Sequence, residues 1–121
     1  MLSEAQIQQF KADGYLNGGL VLDAATVDTL RAEVMRIIDD RENPNATQPV
    51  LLRNLSGNDA APVWQIVNAW EASDAFHALI FQPQIVTGLA QLTDAAELRI
   101  WHDQIQYKPA QIGGPTCMDT L

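Results

Sequence analysis

The run ELRIWHDQIQYKP, residues 97–109, constrains the fold more than any other stretch of this chain. In an extended backbone, side chains two apart share a face. His102, Gln104, Gln106 and Lys108 then line one side, while Trp101, Ile105 and Tyr107 line the other. Two readings of the polar side stand open. It is the solvated face of an antiparallel sheet, or it is a cavity wall that offers hydrogen-bond donors and one cation to an anionic small molecule.

Almost everything before that run reads as helix. Ser3 caps a first helix over residues 4–13, with Gln6 placed for a capping box, Leu2 and Ile7 for a hydrophobic staple, and Gly14 for a left-handed exit. YLNGGLVL reads as a short extended piece or loose hairpin. Asp23 caps a second helix over 24–40, whose stripe of Val27, Leu30, Val34 and Ile37 or Ile38 ends at Asn43-Pro44-Asn45. PVLLRNL is a short strand candidate. From Trp64 the apolar positions return with helical spacing, and Ser73 caps a helix over 72–80. Pro83 fits the first turn of a last helix over 83–93, and an extended segment comes after it over 98–108.

The size and charge of the chain narrow its functions. At 121 residues there is room for one modest core. A net charge of −8 with only seven Lys and Arg argues against nucleic acid and anionic membranes as partners. No apolar run is long enough to span a bilayer, and the first residues lack the pattern of a signal peptide, which points to a cytoplasmic protein. Cys117 is the single cysteine and has no histidine near it in sequence, so it reads as a free thiol.

Metal chemistry fails on spacing. A strand holds an iron site with His, any residue, Asp or Glu, because a spacing of two puts both ligands on one face. Beside His102 the acid is Asp103, on the opposite face, and the residue at the useful spacing is Gln104. The other histidine, His77, lies in a helical stretch beside Phe76 and reads as a surface or half-buried residue. No metal site is expected in this chain.

Three stretches carry a resemblance: LSEAQIQQFKADGYLNGGLVLDAATVDTLRAEV, WQIVNAWEASDAFHALIFQPQIV and LRIWHDQIQYKPAQIGGPT. In this order they resemble the N-terminal portion of the phytanoyl-CoA dioxygenase family, which consists of iron(II)- and 2-oxoglutarate-dependent oxygenases. The resemblance implies an α+β fold, with N-terminal helices and the first strand or strands of an incomplete double-stranded β-helix, or jelly roll. It implies that Gln104 lines the 2-oxoglutarate pocket. Lys108, in the family's Lys-Pro pair, adds positive potential at the pocket mouth or has a structural role at the strand end.

The family continues from Thr116 into His, any residue, Asp. Here Asp119 stands about where the metal histidine is expected, and Leu121 about where the aspartate is expected. Residues 1–121 are therefore expected to be a domain portion interrupted before the iron-binding motif, through a gene cut short, a shifted frame or an engineered end. A complete domain would use iron(II) and 2-oxoglutarate to hydroxylate a small organic substrate. This chain alone is expected to bind neither productively, to be inactive, and to self-associate through an exposed strand edge. A competing reading is a noncatalytic helical module that presents the Trp64 to Val86 region to a protein partner.

Overall fold

The computed structural model describes residues 1–111. The Gly-Gly-Pro segment, Cys117, Asp119 and Leu121 lie outside the described residues. The elements run α1 (Glu4–Asp13), α2 (Ala24–Asp39) with a 3-10 turn over Asp40–Glu42, β1 (Leu51–Asn54), β2 (Trp64–Val67), α3 (Ala69–Ala72), α4 (Asp74–Ile80), α5 (Pro83–Thr93) and β3 (Gln104–Tyr107). The architecture is α+β. Helices combine with one antiparallel sheet of order β1-β2-β3.

Local chemistry sets the helix starts. The Ser3 hydroxyl accepts from the Gln6 amide and the Gln6 side chain accepts from the Ser3 amide, a complete capping box. Gly14 ends α1 at a φ of 79° and donates its N–H to the Phe10 carbonyl. Asp23 caps α2 through the Thr26 amide, and Pro83 opens α5. The chain from Tyr15 to Leu22 forms no strand. An Asn17 side chain accepts from the Gly19 amide, and Gln82 and Gln84 donate to the Val21 and Leu20 carbonyls, which hold this loop against the start of α5.

Two expectations need correction, and a third is narrowed. The helical spacing read from Trp64 gives way to β2, whose register pairs Leu52 with Ile66 and Ile66 with Ile105. Trp, Ile and Val all suit a pleated surface, and as the middle strand this segment gains a neighbour on each side, which outweighs weak local periodicity. The helix placed over 72–80 is instead broken. Ser73 caps α4 through the Phe76 amide and must itself be extended to do so, at a φ of −149°, so Ala72 ends the separate turn α3. The extended segment over 98–108 is a strand only from Gln104 to Tyr107, because β2 offers four residues before it turns away at Asn68.

The core lies between the sheet and the central helices. Ile37 and Ile38 of α2, Ile66 of β2, and Ala69 and Ala72 of α3 are buried together. Val34, Leu52, Trp64, Phe76, Ile105 and Tyr107 pack around them. Ile66 is fully buried, so Ile66→Ala is expected to cost about 2–5 kcal/mol, measured by urea denaturation. α1 packs separately on α5. Gln91 receives the Leu2 amide and donates back to the Leu2 carbonyl, and Leu2 lies beside Gly88. A methyl group at Gly88 would meet Leu2 at 3.8 Å, an ordinary contact, so Gly88→Ala is expected to stabilise by about 0.4–1 kcal/mol.

A polar lock joins α2 to the α3–α4 corner. Arg36 grips both oxygens of Glu33 and also donates to the Ala72 carbonyl, while the Ser73 hydroxyl donates to Glu33. The hydrogen bonds from Arg36 and then Ser73 lower the Glu33 carboxyl from its ordinary 4.5 to about 2, against a smaller opposing effect of burial. A lowered folded-state value means that the stabilisation is complete above pH 4.5 and fades as pH falls toward 2. Stability measured across that window is expected to fall with acid, and Glu33→Gln is expected to flatten the slope.

Candidate functional site

The segment that carried the sequence argument leads into β3, and its side chains divide cleanly only within the strand. Ile105 and Tyr107 pack toward the core, so Gln104 and Gln106 take the other face of the sheet. The register places Gln106 beside Gln65, and Gln65 beside Arg53. Three polar side chains thus form a row across the sheet. Arg53 Nε donates to Gln65 Oε1 at 2.7 Å, and Gln65 is buried. The Nε2 of Gln106 is also buried and has no partner among the described residues. Such an orphan donor is costly unless an acceptor meets it.

The two residues singled out for 2-oxoglutarate sit at opposite ends of this strand. Gln104 opens β3 and is exposed. Lys108 comes directly after the strand and is also exposed. Within the strand, alternation puts Gln104 and Gln106 on one face, and Lys108 lies beyond it. Sequence reasoning missed Arg53 and Gln65, because their place beside Gln106 depends on pairing between segments far apart in the chain. The only local hint was the strand-like PVLLRNL.

Upstream of β3 the alternation breaks. The Trp101 and His102 rings meet edge to face at 4.6 Å, so these neighbours do not take opposite sides. Asp103 has a structural task. Its two carboxylate oxygens accept from the Ala69 and Trp70 amides at 2.8 and 3.2 Å, its N–H donates to the Asn68 side chain, and its carbonyl accepts from the Asn68 amide. The carboxylate therefore caps α3 from the start of the third strand. No group of three or more His, Cys, Asp or Glu side chains converges among the described residues.

Two concavities flank these elements. A polar cleft of about 680 Å³ between α2 and the α3–α4 corner holds Glu33, Arg36, Asp40 and Ser73, whose charges are already engaged with one another. An apolar groove of about 660 Å³ runs between α4, α5 and residues 98–105. Phe81, Leu89, Leu98, Ile100 and Trp101 line it and are exposed. Trp101 is 90% exposed, although Ile105 and Tyr107 from the same run reach the core. Gln104 and His102 supply polar groups at the β3 end of the groove. Among the described residues no helix is long and apolar enough to cross a membrane.

A comparison of the chain with protein-family models, curated proteins and solved structures returns no match.

The Asp103 contacts yield a direct test. Asp103→Ala leaves the Ala69 and Trp70 amides without their acceptor and is expected to cost about 1–3 kcal/mol by urea denaturation, with faster exchange at those two amides. Trp101→Ser, which removes an exposed ring, is expected to change stability by less than about 0.5 kcal/mol.

Proposed function

We propose that this chain is the N-terminal portion of an iron(II)- and 2-oxoglutarate-dependent oxygenase domain of the phytanoyl-CoA dioxygenase type. In full the domain forms a double-stranded β-helix and hydroxylates a small organic substrate. The observation that carries the reading is the polar row on the sheet, where Gln106 stands beside Gln65 and Gln65 beside Arg53, on the face shared with Gln104. A dicarboxylate needs donors and positive charge on a preformed surface, and strands supply it more rigidly than loops. The Nε2 of Gln106, buried and without a partner among the described residues, is suited to an acceptor oxygen. Arg53, Gln104, Gln106 and Lys108 are the residues that would bind and orient 2-oxoglutarate.

The described residues do not fit iron. His102 and His77 stand apart from any carboxylate cluster, and Asp103 has both oxygens committed to α3. No step of oxygen chemistry is assigned to these residues, and the 121-residue chain is expected to show no iron-dependent consumption of 2-oxoglutarate. Metal-dependent turnover by this chain would overturn the incomplete-site reading. The family reading has a separate test in the coding DNA beyond Leu121. Joining the chain to the frame that supplies His, any residue, Asp is expected to yield iron-dependent decarboxylation of 2-oxoglutarate. Absence of that pair in every frame would sink the proposal.

The apolar groove favours a second reading, that of a noncatalytic protein-binding module. Its surface would be α4, α5 and the Leu98 to Trp101 segment, since Trp64 belongs to β2 and packs against the core. A cooperative monomer with strong exchange protection throughout residues 98–108 would favour this finished-domain reading over the oxygenase portion.

A further inference from the structure

We propose that this chain pairs with a second copy of itself along the outer edge of β3, with the exposed groove residues closing over the new strand pair. Self-pairing starts from the backbone. The Asn68 N–H donates to the Asp103 carbonyl, and bonded pairs alternate along an antiparallel ladder. Ile105 and Tyr107 therefore direct their N–H and C=O groups toward β2, while Gln104 and Gln106 direct theirs away from it. Among the described residues no strand lies on that side. An antiparallel edge is self-complementary: a two-fold axis through Ile105 lets Gln104 of each copy bond Gln106 of the other, so that one surface serves both partners.

The charge pattern selects a second copy over a charged partner. The chain carries a net charge of −8, yet residues 97–108 balance Arg99 and Lys108 against Glu97, which pairs with Arg99, and Asp103. The Asp103 carboxylate is turned inward onto α3. Repulsion between two acidic copies is therefore low at this edge, and a basic partner would find both carboxylates of the segment already engaged. Charged residues and proline commonly protect strand edges. β1, the other edge, has Arg53 within it, whereas Gln104–Tyr107 has neither a charge nor a proline inside the strand. The apolar side chains of Leu98, Ile100 and Trp101 stand directly before this strand and gain cover when it pairs.

The proposal concerns this chain by itself and does not rest on the oxygenase reading. Sedimentation of the wild-type chain over a wide concentration series is expected to show a monomer–dimer equilibrium. Hydrogen exchange is expected to show the Gln104 and Gln106 amides gaining protection as concentration rises. The Ile105 and Tyr107 amides, bonded to β2 in either state, should change little. Gln106→Pro removes an outward N–H and leaves the β2 ladder intact, so it is expected to be monomeric with an unchanged far-ultraviolet circular dichroism spectrum. A wild-type monomer at every concentration overturns the proposal. So does a dimer whose Gln104 and Gln106 amides exchange at a concentration-independent rate, and this readout decides even if the proline variant fails to fold.

Discussion

The corner at Asn68 is held from 35 residues away in the chain. There the backbone leaves β2 through a left-handed residue, at a φ of 59°, a conformation asparagine tolerates better than most. Asp103 then does two things at once. Its carbonyl accepts the Asn68 N–H while its own N–H donates to the Asn68 side chain, which continues the β2–β3 ladder by one backbone bond, and its carboxylate receives the first amides of α3. The register of the third strand and the direction of the helix after the second are thus one constraint. Because α3 carries Ala69 and Ala72 into the core beside Ile66, that constraint also decides how α2 meets the sheet.

Around this corner the core is thin and its cover uneven. The buried apolar residues are small or aliphatic, and the large aromatic groups lie at the margin. Trp64 is half-buried with Arg41 over its ring at 5.1 Å, Phe76 and Tyr107 pack around the cluster, and Trp101 lies outside it. The sheet has only four-residue strands, so each backbone bond is a large fraction of what holds it. Polar locks supply the remaining definition. Glu33, Arg36 and Ser73 join α2 to the α3–α4 corner, and Gln91 joins α1 to α5. Such locks position elements well, but they leave apolar surface such as the groove beside β3 open.

Legibility in the sequence tracks the range of the interaction. The caps at Ser3, Asp23 and Ser73, the left-handed Gly14 and the proline start of α5 all act within a few residues, and each is readable from the sequence alone. β2 is not. Trp64 to Val67 is strand because β1 and β3 flank it, and β3 comes from far along the chain. For the same reason the pairing of Gln104 and Gln106 on one face is legible, while the row they form with Gln65 and Arg53 is not. Alternation within one strand is local, and register between strands is a tertiary result.

The dipeptide His102-Asp103 shows why residue type alone misleads. A histidine followed by an aspartate resembles half of a metal site, yet adjacent residues on an extended chain diverge. The structure adds a stronger reason: the free amides of α3 claim both oxygens of the aspartate. Withdrawing it to hold a cation would leave two amides unpaired at the corner on which the sheet and helices depend, and that opposes any gain in coordination. A histidine free to turn then packs on Trp101, outside the core. The same local sequence thus produces the structural anchor and, immediately before it, the exposed apolar surface. Asp103 must face inward to fix the corner, and the backbone it fixes carries Trp101 away from the core that takes Ile105 and Tyr107.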